Sequence, residues 1–280
     1  MYNRVKNSEK DNLVRQFQGV TQVDPKEARE ILRKNNWKLD EAMDNFYTLQ
    51  IHRRAPAASG YQRADRRAIE NLFRHYANPD RPETMFAEEI IRFCGDLKLD
   101  PTSLPVLVLA WKFKAKRQCV FTKQEFVEGM YELGSDSIEK LRSTIPQMMN
   151  EVKNTNSVGF KQLYRYTFGY AKDEGKKNLD IDTAAAYWTL LLENKFIFLN
   201  LWKEFLSGAD GRKRNTIPED TWNVTLDFVN QIGSFEEYDT EGAWPTLLDE
   251  FVEYARWKQE EAQKESTANS ATAEEKMQLD

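Results

Sequence analysis

The apolar positions at the start of the chain recur at the three- and four-residue spacing of short amphipathic helices. Leu13, Val14 and Phe17 share one face of a first helix. A second helix begins at Pro25, because proline is favoured in the first helical turn. This spacing predicts a three-helix domain over residues 9–49. The apolar faces of its second and third helices are formed by Ala28, Ile31, Leu32, Leu39, Ala42, Met43 and Phe46.

The periodicity stops at residues 50–62, where small residues, a proline and a glycine are typical of a linker. Helical spacing then returns and predicts a larger domain over residues 63–257. No run alternates apolar and polar residues as a strand does, so the predicted class is all-α, with at most a very short pairing between two helix-connecting loops. The later helices of this domain are predicted near residues 137–152, 159–172, 181–193, 195–206, 217–231 and 244–258.

Local signals predict several helix ends. Asp65 is a predicted N-cap, and Asp100 is a second one because a proline follows it. Thr122 and Glu125 have the spacing of a capping box, and the helix that they begin should end at Gly134.

The end of the chain, residues 258–280, contains charged and small polar residues with few apolar anchors. Such a composition does not bury enough apolar surface to offset the entropy of ordering. We therefore expect a brief extension of the last helix followed by a disordered tail.

The composition is that of a water-soluble protein with a packed core. The 280 residues are 40% hydrophobic and 12% aromatic, enough for one large or two small domains. No segment approaches the about 18 apolar residues of a membrane span, and the first residues lack a signal-peptide core. Two cysteines do not form a disulfide framework, so a reducing compartment, cytoplasm or nucleus, is expected. We expect a monomer.

Charge is unevenly distributed along the chain. The segment 217–253 holds ten carboxylates and no Lys or Arg, although the whole chain is only −5. Large apolar residues between the acids, such as Trp222, Phe228 and Trp244, indicate a folded surface and not an acidic tail. An acidic face attracts basic protein surfaces and repels phosphate backbones, and without histidine it favours docking over catalysis.

Two helix-connecting segments, 78–89 and 114–125, have the length of an EF-hand calcium loop. In the first, Pro82 and Glu83 occupy the fifth and sixth positions, and the sixth normally requires glycine. The second has basic residues in place of oxygen ligands, with a carboxylate only at Glu125. We therefore expect EF-hand-like helix pairs that bind no metal.

Enzyme chemistry finds little support in the sequence. The histidines, His52 and His75, have no partner Ser or Cys in a triad arrangement, and no phosphate-binding glycine loop is present. Cys94 and Cys119 are candidate thioester nucleophiles, but we expect both to be inert core cysteines. A non-catalytic protein without cofactors is predicted.

A basic cluster, Lys112, Lys114, Lys116, Arg117 and Lys123, surrounds the end of the apolar helix. Nucleic-acid binding is one interpretation of such a cluster. The chain is acidic overall, and the neighbouring aromatic residues are Phe in an apolar pattern, so a solvated rim around a groove is favoured and no nucleic-acid partner is expected.

Four long runs resemble one protein family. They are IPEDTWNVTLDF, YDTEGAWPTLLDEFVEYAR, LDPTSLPVLVLAWKFKAKRQCVFTKQEFVEGMYELGSDSIEKL and AAAYWTLLLENKFIFLNLWKEFL. They are similar to the potentiating-neddylation domain of the defective-in-cullin-neddylation (DCN-like) proteins, from about Tyr61 to Trp257. The three-helix segment resembles a ubiquitin-associated domain, although Gln18–Thr21 departs from the usual Met-Gly-Phe-like loop. This departure leaves open both a ubiquitin-binding role and that of another small docking domain.

The resemblance implies a cullin-binding patch at Asp220, Ala243 and Asp249. In the family, the matching residues grip the C-terminal winged-helix domain of a cullin. The small Ala allows close approach, and the carboxylates pair with Lys or Arg.

The resemblance also implies a second site, an apolar pocket for the acetylated N-terminal methionine of the neddylation conjugating enzyme. Periodicity alone assigns most of its residues to the core. Gln118 would contribute a hydrogen bond, and Tyr170 replaces the Phe expected there. The matching positions are Ile90, Val106, Leu109, Ala110, Phe113, Gln118, Phe121, Tyr170, Tyr187 and Leu190.

Together these features predict a scaffold-type accessory ligase for cullin neddylation, acting with the RING subunit of a cullin complex and without a membrane partner. The alternative is a ubiquitin-binding adaptor that acts through residues 9–49. Which cullins are preferred does not follow from the sequence.

Overall fold

The computed structural model describes residues 7–21, 23–39, 42–43, 46, 64–212, 214–239 and 242–277. The chain divides into two compact units, Met1–Arg63 and Ala64–Asp280. Among the described helices, none is both long and apolar enough to cross a membrane.

In the first unit, α1 spans Asn7–Thr21 and α2 spans Pro25–Lys34. Asp24 caps α2, because its carboxylate accepts hydrogen bonds from the backbone N–H groups of Lys26 and Glu27. The predicted third helix lies partly outside the described residues, and its described positions are helical. The buried side chains of the unit pack together as predicted: Val14, Phe17, Ala28, Leu32, Ala42 and Phe46.

The second unit is helical, so the predicted all-α class is confirmed. Each helix buries one apolar face against its neighbours, as its periodicity predicts. The helices are α3 Arg66–Tyr76, α4 Ala87–Leu97, α5 Leu104–Lys112, α6 Lys123–Glu132, α7 Ile138–Glu151, α8 Val158–Ala171, α9 Ile181–Leu192, α10 Leu199–Leu206, α11 Glu219–Gln231 and α12 Thr246–Met277.

Two antiparallel pairs of two-residue strands connect the helix-joining loops. β1 (Thr84–Met85) pairs with β2 (Phe121–Thr122), which is the short pairing that the sequence allowed. β3 (Leu179–Asp180) pairs with β4 (Thr216–Ile217), and this second pairing was not predicted. Strands of two residues have no periodicity, so only the fold brings such loops together.

Several predicted helix ends are confirmed. Asp65 caps α3 by accepting from the N–H of Arg67, and Thr122 with Glu125 forms the capping box of α6. The cap predicted at Asp100 is wrong, because the N-cap of α5 is Ser103. Asp100 instead closes the preceding turn, where its carboxylate accepts two hydrogen bonds from Thr102.

The last helix continues to Met277, well beyond residue 258 and the brief extension that we expected. The disordered tail predicted for 258–280 is therefore not what the structure has up to Met277. This segment is rich in Ala, Glu, Gln and Lys, which have high helix propensity, and Glu260 and Lys264 have the favourable i,i+4 spacing. Propensity here outweighs the lack of apolar anchors.

Candidate protein-docking sites

The loop 78–89 uses its terminal carboxylate for internal capping. Glu89 accepts hydrogen bonds from the backbone N–H of Phe86 at 2.9 Å and from the side-chain amide of Asn78 at 3.1 Å. The bond from Phe86 is the main reason why the pKa of Glu89 lies below its usual range. Glu125 does the same in the loop 114–125, where it accepts from the N–H groups of Thr122 and Lys116.

We expect neither loop to bind calcium in a titration calorimeter, because protein donors already occupy both carboxylates. Replacing Glu89 by Gln should lower the free energy of unfolding by about 1 kcal/mol, since the negative charge that accepts hydrogen bonds from Phe86 and Asn78 at the helix start is lost. Glu88, exposed in the same helical turn, is the matched control and should tolerate Gln without effect. A micromolar calcium site that disappears in Glu89→Gln would contradict this interpretation.

Asp220 lies exposed in the first turn of α11. Two residues later, Trp222 is fully buried, and its indole N–H donates to the backbone carbonyl of Tyr164 at 3.0 Å. The hydroxyl of Tyr164 donates in return to the carbonyl of Trp222 at 2.9 Å. This reciprocal pair fixes α11 against α8. The carboxylate of Asp220 is therefore held at a rigid helix start, where the helix dipole favours negative charge.

The chain turns before α12 so that Ala243 is exposed. The N–H of Trp244 donates to the carbonyl of Gly242 at 2.8 Å. A Cβ at Gly242 would lie 2.9 Å from the indole nitrogen of Trp244, so this close approach requires glycine. The indole packs on the rings of Phe228 and Tyr238, which anchors the turn and leaves a small side chain at its tip.

Asp249 lies half-buried in the first turn of α12. The hydroxyl of Tyr238 donates to Oδ1 of Asp249 at 2.6 Å and so orients the carboxylate. Burial, followed by the hydrogen bond and charge of Asp249, raises the pKa of Tyr238, which keeps the hydroxyl protonated at neutral pH. Tyr238 was not predicted as a site residue, because its only signal in the sequence is an aromatic residue within the acidic segment.

The three predicted cullin-binding residues belong to two helices and to the turn that precedes the second of them. Ala243 and Asp249 flank the start of α12, whereas Asp220 belongs to α11. The two helices meet at Phe228, whose ring lies 6.0 Å from that of Phe251 on α12. Asp220 precedes Phe228 by eight residues, or about 12 Å of helix.

Six of the ten predicted pocket residues are buried in the core. The ring of Phe113 lies 5.5 Å from that of Phe121. A Cβ added at Gly129 would lie only 2.2 Å from the ring of Phe113, so this part of the core is closely packed. A ligand would therefore approach these side chains over the outer residues of the set. The exposed fractions of the six are Ile90 6%, Val106 9%, Leu109 1%, Ala110 0%, Phe113 2% and Phe121 2%.

The outer residues of this set are Tyr170, Tyr187 and Leu190, which are half-buried, and Gln118, which is exposed. They come from α8, α9 and the loop after α5. Tyr170 contacts the backbone of Cys119, which follows Gln118, and lies close enough to Tyr187 to affect its pKa. We call these four residues the tyrosine rim.

Tyr166 lies beside this rim, although it was not among the predicted pocket residues. Its ring stacks on that of Tyr170 at 5.3 Å, and its hydroxyl donates to the carbonyl of Ala115 at 2.8 Å. Burial raises the pKa of Tyr170 to about 12, and burial also raises the pKa of Tyr166 and Tyr187. All three hydroxyls are therefore uncharged at neutral pH and offer no counter-ion to a cation.

The two cysteines differ in environment. Cys94 is buried on α4, and burial raises the pKa of its thiol to about 11, as expected for an inert core cysteine. The prediction that Cys119 is a core residue is wrong, because it is exposed. It lies in the turn that joins the paired residues Arg117 and Val120, with a φ of 56°. A turn in a connecting loop carries its side chain to the surface.

The basic cluster consists mainly of paired residues. Each of four members forms an ion pair with a carboxylate from another part of the second unit. This pairing agrees with a solvated rim and leaves little free charge for a phosphate backbone. The pairs are Lys112–Glu151, Lys114–Glu132, Arg117–Glu174 and Lys123–Glu83.

Of the two histidines, His52 lies outside the described residues, and His75 is exposed with its ring edge against Tyr76. Within the described part of the chain, no group of three His, Cys, Asp or Glu side chains could hold a metal ion.

Comparisons with known proteins match both units. A family model described as cullin binding matches residues 140–254, and a model of a UBA-like domain matches residues 11–50. DCN1-like protein 3 of Xenopus laevis is 38% identical over 240 residues, 82% of this chain and 77% of the relative. Defective in cullin neddylation protein 1 of Caenorhabditis elegans is 35% identical over 275 residues, 91% of this chain and 92% of the relative. Human DCN1-like protein 3 is 38% identical over 211 residues, 72% of this chain and 66% of the relative.

Proposed function

The chain belongs to the family of defective-in-cullin-neddylation proteins, and on this premise we propose that it promotes the attachment of a ubiquitin-like modifier to cullins. One observation carries the proposal. The match to the cullin-binding family spans 140–254 and so includes Asp220, Ala243 and Asp249. We call these three residues the acidic docking surface. The N-terminal match to a UBA-like domain agrees with the same family.

In this proposal the acidic docking surface holds the C-terminal winged-helix domain of a cullin. The surface offers two carboxylates on helix starts and a small side chain at the tip of a turn. The carboxylates pair with basic side chains of the partner, and Ala243 allows its backbone to approach closely. Trp222 and Trp244 anchor these elements in the core, so the surface is arranged before the partner binds.

The tyrosine rim, with the apolar core beneath it, takes the acetylated N-terminal methionine of the neddylation conjugating enzyme. An acetylated methionine is uncharged and apolar, which suits a surface of neutral tyrosines and a leucine. Gln118, the exposed member of the rim, supplies an amide that can hydrogen-bond the acetyl group or the first peptide bond.

The mechanism is catalysis by proximity. Two binding sites on one domain bring the modifier, carried as a thioester on the conjugating enzyme, close to the acceptor lysine of the cullin. The RING subunit of the cullin complex activates the thioester. No side chain of this protein forms or breaks a bond.

The test is a reconstituted cullin-modification assay with and without the protein. We expect faster modification in its presence, and the same acceleration after replacement of Cys94 by Ala and Cys119 by Ser, because neither thiol takes part. Trapping a modifier thioester on either cysteine would exclude a pure scaffold.

The UBA-like match favours a second candidate, a ubiquitin-binding adaptor that acts through the N-terminal unit. The same assay separates the two, because deletion of residues 1–63 should leave the acceleration intact if the second unit is the scaffold. Loss of acceleration on deletion would favour the adaptor.

A further inference from the structure

Arg214 joins two parts of the second unit that carry the acidic docking surface. Its Nη2 lies 2.7 Å from Oδ2 of Asp210 and 2.8 Å from Oε2 of Glu250 on α12. Its Nη1 lies 3.0 Å from Oδ1 of Asp210 and also donates to the carbonyl of Phe205 at 3.3 Å. The guanidinium thus binds one carboxylate with both nitrogens and reaches a second carboxylate 36 residues along the chain.

This ion pair is enclosed, unlike an ordinary surface pair. The side chain of Arg214 is only 9% exposed, and its guanidinium carbon lies 3.8 Å from the centre of the Phe205 ring. The hydrogen bond from Arg214 is the main cause that lowers the pKa of Asp210 to about 2. Exposed ion pairs contribute little to stability. A planar guanidinium buried between two carboxylates is held in one geometry, and removing it costs free energy because the carboxylates are left unpaired.

The ion pairs of Arg214 with Asp210 and Glu250, which we call the clamp, lie close in sequence to the carboxylates of the docking surface. Arg214 precedes Asp220 by six residues, with β4 between them, and Glu250 is the neighbour of Asp249. One end of the clamp therefore lies on the segment that leads into α11, and the other lies in α12 beside the second carboxylate of the surface. Breaking it would remove one of the contacts that set the spacing between Asp220 and Asp249, in addition to the packing of Phe228 on Phe251.

We propose that Arg214 is a positioning residue for cullin binding, which sets the spacing of Asp220 and Asp249 by tying the start of α12 to the loop before α11. This inference rests on the function proposed above, in which those two carboxylates contact the cullin. Arg214 itself does not need to touch the partner.

The sign of one substitution tests this role. The docking surface attracts a basic partner, so removing a nearby positive charge should by charge alone tighten cullin binding. If Arg214 positions the surface, its removal should weaken binding instead. The two effects have opposite directions, so they can be told apart.

Arg212 provides a matched control, because its Nη1 lies 2.6 Å from Oε1 of the same Glu250, while its side chain is 58% exposed. The experiment compares Arg214→Met with Arg212→Met in the full chain, with the isolated cullin winged-helix domain as probe and calorimetry as readout. We expect Arg214→Met to bind about 10-fold more weakly and Arg212→Met to bind unchanged or more tightly. Arg214→Lys keeps the charge but not the planar fork, and it should bind about 3-fold more weakly.

Equal affinities for Arg214→Met and Arg212→Met would overturn the positioning role, provided that Asp249→Lys still weakens binding. Should Arg214→Met not fold in a thermal melt, Arg214→Lys carries the same comparison, and wild-type affinity in that variant would overturn the role. Unchanged cullin affinity in Asp249→Lys would refute the proposed docking surface itself, and this inference with it.

Discussion

A peptide that begins with an acetylated methionine should bind this protein at least about 100-fold more tightly than the same peptide with a free amine, a difference of roughly 2.7 kcal/mol. The rim residues Tyr170 and Tyr187 are neutral, so a buried ammonium would have no counter-ion there. The carboxylate of Glu125, which influences the pKa of Tyr170, already accepts two backbone hydrogen bonds. Burying an unpaired charge costs several kcal/mol, and acetylation removes that charge.

The choice of variant matters for this measurement. A substitution such as Leu109→Asp would place a charge in the core, because Leu109 is 1% exposed, and would therefore test folding more than binding. Leu190→Asp alters the half-buried rim and should abolish peptide binding. The same variant should keep its affinity for the cullin domain, since the acidic docking surface lies on other helices. Equal affinities for acetylated and free peptides in fluorescence polarisation would refute the proposed site for the conjugating enzyme.

Reversing the charge of Asp249 should reduce cullin affinity about 30-fold, because Asp249→Lys places like charges opposite a basic partner at a central interface position. Ala243→Arg should have a similar or larger effect through a steric clash at the exposed tip of its turn. Calorimetry with the cullin winged-helix domain measures both effects, and binding of the unaltered protein should weaken as salt is added.

Asp182→Lys is the matched control for net charge. Asp182 is exposed in the first turn of α9, as Asp249 lies in the first turn of α12, but it is outside the acidic segment. Its reversal should change cullin affinity by less than about 2-fold, because the proposed partner contacts Asp220, Ala243 and Asp249 and not the start of α9. Folded Asp249→Lys and Ala243→Arg proteins that bind like the control would refute the docking surface.

The helices were predictable because their signals are local. Periodicity marked the buried faces, and Asp65, Thr122 and Gly134 marked ends through hydrogen bonds and backbone angles that involve only neighbouring residues. Asp100 and Ser103 show the limit of such signals, since both residue types cap helices and only the fold decides between them.

Other features depend on contacts between distant residues. The hydroxyl of Tyr238 reaches Asp249 across 11 residues, and Arg214 reaches Glu250 across 36. Nothing in the spacing of these residues indicates the contact. For the same reason the sequence alone assigned Leu109 to the core correctly but could not show that Tyr166 lies beside the rim. The roles of the site residues stay predictions from the family resemblance.

The internal capping of the EF-hand-like loops has a consequence for control in the cell. Glu89 and Glu125 are satisfied by donors of the chain itself, so the fold supplies from within what a calcium sensor takes from solution. On the function proposed above, the distance between the two partners should then be the same at low and at high calcium concentration. The rate of cullin modification should then depend on the number of copies of this protein and on the number of partners that are free to bind them.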